Sequence, residues 1–254
     1  MRRFYLLAVA ALLSGTHVAA GAEIDVLSAG AVSKALTVFA AEYKQNTGID
    51  VHLTFGNVGQ IEDRLKAGDA ADVVILSASA LGDLAKGGAL VADSAQPLGR
   101  VGMGVAVRAG APAPKIATTQ AFKAALLAAP SIAYSDPAGG GSSGVFFDDL
   151  IQKLGIATQV RAKAVLIRGG SAADPVVAGK AAMAVQNSSE LIGIPGIRYV
   201  GPFPAADQNY ITYSAAIYMP SVQQPAAGAF IRLLTQPVAA KTWHAAGIEP
   251  PAAP

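Results

Sequence analysis

The sequence predicts an α/β protein of two lobes, each holding a mixed, mostly parallel sheet, with a cleft between them. Three observations carry this. Short β-rich runs alternate with amphipathic helical runs along nearly the whole chain. A Gly/Ala/Pro stretch at 109–114 separates two such blocks and reads as a crossing between lobes. Three strand-to-helix loops are rich in glycine and hydroxyl residues.

The elements follow in order. Residues 23–27 form a β-rich run. Residues 32–45 read as a helix with Leu36, Phe39, Ala40 and Tyr43 on one face and Gly48 as its stop. Strands are predicted at 49–55 and 73–76, with helices at 60–67 and 80–86 stopped by Gly68 and Gly87. This βαβ repetition implies parallel strands covered on both faces. A strand at 101–107 precedes the crossing loop. The second block predicts helices at 120–128 and 143–154, strands at 131–135, 165–167 and 183–186, and a helix at 176–180 with Pro175 at its first position. Residues 196–204 read as loop, 210–218 as a long strand, and 224–234 and 238–245 as closing helices.

The first residues have the three parts of a secretory signal: Arg2 and Arg3, an apolar run at 4–13, and the small-x-small site Ala20-Gly21-Ala22. Cleavage is expected after Ala22, which places the mature protein in the periplasm. The apolar run is shorter than the roughly 20 residues that span a bilayer. The expected division is a signal at 1–22, one lobe from 23–104 plus 205–254, and a second lobe from 105–204. The whole chain carries 19 Lys+Arg and 17 Asp+Glu; loss of Arg2 and Arg3 leaves 17 of each. A balanced surface argues against nucleic acid or a polybasic membrane contact. There is no cysteine, so neither disulfides nor a thiolate metal site exist. Beyond the signal only His52 and His244 remain, with no paired-ligand spacing; no metal and no cofactor are expected.

In open α/β sheets, ligands sit beyond the C-terminal ends of strands. The loops there are Ser28-Ala29-Gly30-Ala31-Val32-Ser33, Phe55-Gly56-Asn57-Val58-Gly59-Gln60, and the run from Ser135 through Gly139-Gly140-Gly141-Ser142-Ser143-Gly144. Each leads into a helix, where free N–H groups and the helix dipole attract anions. The same residues are also ordinary turn and cap chemistry. Arg168, before Gly169-Gly170-Ser171, offers a bidentate contact to a carboxylate. Gln186 and Asn187 end a strand. The candidate ligand-binding set is Ser28, Gly30, Ala31, Asn57, Val58, Gly59, Gly141, Ser142, Ser143, Gly144, Arg168, Gln186 and Asn187. Tyr210 and Tyr213 stand near the return crossing. No nucleophile elbow and no nucleotide phosphate loop is present, and no catalytic base stands out.

Across nearly all of residues 23–254 the sequence resembles the type II periplasmic solute-binding proteins of the molybdate-binding family. The likeness rests on Ile24-Asp25-Val26-Leu27-Ser28-Ala29-Gly30-Ala31, on the run from Ala67-Gly68-Asp69 to Asp72-Val73-Val74-Ile75, on Ser135-Asp136-Pro137, and on Gln186-Asn187-Ser188-Ser189-Glu190-Leu191. The resemblance implies a periplasmic-binding-protein-like fold with an oxyanion closed between the lobes. If the protein is a transport receptor, the expected partner is an ABC-type membrane permease. The monomer is the expected state. The family's two loop serines and its late tyrosine are matched here by Ala31, by Val58 or Gly59, and by Gln186 or Asn187. A buried dianion robbed of three hydroxyl donors is costly. An organic di- or tricarboxylate is therefore the expected ligand, ahead of molybdate or tungstate. The sequence also resembles a divergent branch that includes periplasmic aconitate isomerases, which shift an allylic proton without a cofactor.

Overall fold

The computed structural model describes residues 23–251. The signal segment and its cleavage site lie outside the described residues. Lobe 1 begins with β1 (Glu23–Ala29), a 3-10 turn (Gly30–Val32) and α1 (Ser33–Thr47). β2 (Asp50–Gly56), α2 (Val58–Ala67), β3 (Val73–Ser77) and α3 (Ala78–Lys86) follow. β4 (Gln96–Arg108) leads to α4 (Thr119–Ala128), β5 (Ile132–Ser135), a 3-10 turn (Pro137–Gly139) and α5 (Ser142–Lys153). Then come α6 (Ala157–Arg161), β6 (Ala164–Ile167), α7 (Ala173–Val177), β7 (Met183–Asn187) and α8 (Ser188–Leu191). β8 (Ile197–Pro202), β9 (Tyr210–Ile217), α9 (Gln224–Thr235) and α10 (Ala239–Ala245) complete the chain.

The strand order is β2-β1-β3-β9-β4-β7-β5-β6, with β8 also on β4. β1 pairs in parallel with β2 and β3, and β5 with β6 and β7; β9 and β4 run antiparallel to their neighbours. The first half of β4 (96–102) pairs with β9; its second half (103–108) pairs with β7 and β8. The chain therefore changes lobes inside β4, around Gly102–Met103, and not in the 109–114 loop. One core gathers Ile24, Val26, Leu36, Phe39, Val73–Leu76, Phe230 and Trp243. A second gathers Met103, Phe122, Tyr134, Phe147, Ile151 and Phe203. Aromatic contacts tie each together: Phe39 and Trp243 centroids lie 5.0 Å apart, Tyr134 and Phe147 also 5.0 Å.

Local chemistry explains most boundaries. Gly48 and Gly68 adopt left-handed φ values of 75° and 85° and close α1 and α2. Asn57 and Gln60 form a reciprocal capping box on α2, which starts it at Val58, two residues before the apolar pattern suggests. Asp72 accepts from the Asp25 amide (2.8 Å) and the Ser221 hydroxyl (2.6 Å), so it is a buried pin between strands. Three further expectations are corrected. The 196–204 loop holds strand β8, its pattern broken by Gly201 and Pro202 at its end. β4 starts at Gln96 because a bulge between Pro97 and Gly99 accommodates the proline. Pro175 is the third residue of α7, because the helix starts at Ala173. The short helices α6 and α8 leave no mark on the sequence pattern, because neither is long enough to show a period.

Candidate functional site

A cleft of about 530 Å³ lies between the lobes at the C-terminal ends of the parallel strands. Its wall includes Gly30, Ala31, Asn57, Val58, Gly141, Ser142, Ser143, Gln186 and Asn187, nine of the thirteen candidates. The other four stand behind it. Ser28 is fully buried and donates to the Ala29 carbonyl. Gly59 and Gly144 are close-approach glycines. A Cβ on Gly59 would come 2.7 Å from the Gly139 carbonyl across the cleft mouth, and one on Gly144 would overlap the Ser135 carbonyl. Arg168 has a side chain 86% exposed; its Nε donates to Asp136 Oδ2 at 3.0 Å. Asp136 Oδ1 in turn accepts from the Ala138 amide, so Arg168 braces the glycine loop from outside.

Two helix starts lie at the cleft wall. The 3-10 turn at Gly30–Val32 and the start of α5 at Ser142 carry no side-chain cap, leaving first-turn amides for an anion. Five serines line the wall: Ser33, Ser135, Ser142, Ser143 and Ser171. Phe55, Ile167 and Ile194 add apolar surface. The wall therefore offers both hydrogen-bonding groups and apolar surface.

Among the lining residues, Lys34 is the only cation and Glu190 the only acid. Lys34 donates from α1 to the Ile192 carbonyl in the other lobe, and burial lowers its pKa against the pull of Glu190. In the sequence Glu190 stands only within the family-like run 186–191. Its carboxylate accepts from Asn187 Nδ2 (2.6 Å) and Gln186 Nε2 (3.0 Å) and forms no ion pair among the described residues. Gln186 is itself fixed, accepting from the Ala172 amide at 2.7 Å. Loss of solvent raises the Glu190 pKa to about 7, with the Asn187 hydrogen bond and Lys34 opposing. Tyr213 comes from β9, its ring buried in the lobe 1 core and its hydroxyl at the cleft. Asn187 Nδ2 donates to that hydroxyl at 3.3 Å.

The lobes touch around this cleft. Gln60 Oε1 accepts from the Asn57 amide within lobe 1 while its Nε2 donates to the Arg168 carbonyl in lobe 2 at 2.8 Å. Ser189 Oγ donates to the Ala31 carbonyl at 2.7 Å. Among the described residues, no cluster of three or more His, Asp or Glu stands in metal-binding reach, and no helix is long and apolar enough to cross a membrane.

Two sheets sharing one antiparallel strand, with a cleft of glycines, hydroxyls and uncapped helix starts between them, define a two-lobed α/β architecture. Residues 24–249 match the family of bacterial extracellular solute-binding proteins, and the chain belongs to that family. It is 34% identical over 238 residues to an aconitate isomerase of a Pseudomonas species, covering 91% of this chain and 89% of that one. The fold is that of the Azotobacter vinelandii periplasmic molybdate-binding protein, with a TM-score of 0.77 and 20% identity over 90% of this chain and 99% of that one. The sulfate-binding protein of Mycobacterium tuberculosis is similar at a TM-score of 0.74 and 19% identity, covering 91% and 88% of the two chains.

Proposed function

We propose that this is an exported, periplasmic isomerase that interconverts trans- and cis-aconitate, with Glu190 as the proton carrier. The observation that carries the reading is the placement of Glu190: a single carboxyl at the cleft wall, held by two amide donors, with a pKa of about 7. A base that titrates near working pH is suited to both taking and returning a proton. Similarity to an aconitate isomerase along most of the chain supports the same substrate.

The proposed reaction moves one proton. The Glu190 carboxylate takes a proton from the substrate methylene, and the C–H electron pair becomes an allylic carbanion spread onto the adjacent carboxylate. Uncapped amides at Gly30–Val32 and Ser142 face that developing charge. The neutral Glu190 then returns the proton to the far allylic carbon, and the double bond has shifted. Protons and electrons balance without a co-reactant. Lys34 and the serines hold the other carboxylates.

The test is purified protein with trans-aconitate, followed by proton NMR. Conversion to cis-aconitate is expected, and Glu190→Gln is expected to slow it by about 100- to 10,000-fold while the variant still binds. Undiminished turnover in that variant places the base elsewhere. A second reading, a transport receptor handing a carboxylate to a membrane permease, is favoured by the contacts that join the lobes over the cleft. Thermal stabilisation by aconitate without conversion would establish it. Stabilisation by molybdate alone would sink both carboxylate readings.

A further inference from the structure

Tyr213 occupies an unusual position in the cleft. It sits on β9, paired with Ser77 of β3 and Gly99 of β4, and is 2% exposed. Asn187, the last residue of β7, is opposite Met103 of β4. The two side chains therefore meet beside the point where β4 passes from one lobe to the other.

Their hydrogen bonding leaves a specific remainder. The close contact from Asn187 Nδ2 to the Glu190 carboxylate fixes the amide with its nitrogen toward Glu190. The same nitrogen donates to the Tyr213 oxygen. Tyr213 is thereby an acceptor from the protein, and its own O–H donates to no described protein group. A buried hydroxyl proton without an acceptor is costly. Its open direction is the cleft that the residue lines. Asn187 Oδ1 is buried and unpartnered but can only accept, so the Tyr213 O–H is the one donor this pair has left for a carboxylate. Burial and the neighbouring Glu190 charge push the Tyr213 pKa upward, which keeps the phenol a donor.

We propose that the Tyr213 hydroxyl donates a hydrogen bond to a carboxylate of the bound tricarboxylate, with Asn187 as the positioning residue that leaves the phenol proton free for it. This deepens the aconitate reading and rests on it. Anchoring the ligand beside the shared strand gives it a contact that persists while the lobes rotate. It also places one carboxylate next to Glu190, since Asn187 bridges the two groups.

The experiment uses the whole protein and two ligands: trans-aconitate for turnover, and saturated propane-1,2,3-tricarboxylate as an inert probe of binding by calorimetry. Tyr213→Phe keeps the ring that fills the lobe 1 core. It is expected to weaken binding of the saturated probe by about 10- to 100-fold, the usual worth of a hydrogen bond to a charged group. The unliganded melting temperature is expected to hold. Asn187→Asp, which keeps the shape but repels Glu190, should move the pH dependence of turnover as well as the affinity. Wild-type affinity in Tyr213→Phe, with the wild-type protein active, overturns this inference alone. A wild-type protein that neither binds the probe nor converts aconitate overturns the functional reading and this inference with it.

Discussion

At the scale of single residues, Glu190 links folding to pH in a definite direction. Its pKa is about 7 in the folded protein against an ordinary 4.5. Between those values the folded chain holds a proton that the unfolded chain has released, so stability falls as pH rises through this window and is level above it. The full shift corresponds to at most about 3 kcal/mol. Glu190→Gln is expected to remove this slope. Chemical denaturation at pH 5 and pH 8 checks it: the wild type should lose stability relative to the variant at the higher pH, and parallel curves would deny the shift. Turnover should rise along the same titration, because the ionised form is the base. Neither Glu190 nor Lys34 was legible as a site residue. A lone acid after two serines looks like a solvated helix residue, and only tertiary packing removes its water. Arg168 shows the converse. Its placement before Gly169-Gly170 suggested a ligand contact, yet its guanidinium turns outward to brace Asp136.

At the scale of elements, the close-approach glycines divide into two kinds. Gly144 meets the Ser135 carbonyl inside lobe 2 and lets α5 start against β5. Gly59 meets the Gly139 carbonyl of the opposite lobe. It lies within α2 at an ordinary helical position, where alanine is favoured by up to about 1 kcal/mol. Gly59→Ala should therefore leave the melting temperature equal or higher while holding the lobes apart. Ligand affinity is expected to fall about 10-fold, in proportion to the lost closed population. Small-angle scattering with saturating ligand checks this: a larger radius of gyration than the wild type is expected, and an equal one would count against it. Most elements were readable because their caps carry side-chain signals, as at Asn57 and Gly68. β8 was not, because Gly201 and Pro202 look like turn residues and its pairing with β4 is set by a distant segment. The nine candidates that reached the cleft did so because glycine-rich strand ends obey a general topological rule.

At the scale of the whole molecule, β4 makes the two lobes mechanically and thermodynamically dependent. Its thirteen residues carry hydrogen bonds to both sheets without a break in the strand. Scanning calorimetry of the unliganded protein should show one transition whose calorimetric and van't Hoff enthalpies agree. Two resolved transitions would show that the shared strand does not transmit unfolding. The α/β alternation made the two lobes legible, but the place of crossing was hidden, since a long strand through Pro97, Gly99 and Gly102 does not look like one. The same arrangement sets an order of assembly. The core around Met103, Phe122 and Phe203 is drawn from a continuous stretch of chain. The core around Ile24 and Val74 is incomplete until Tyr213, Phe230 and Trp243 arrive from near the other end. A chain emerging N-terminus first must therefore carry its earliest strands unsatisfied past the completion of the later lobe. During that interval β1 and β3 expose apolar surface that only chaperones or speed can protect.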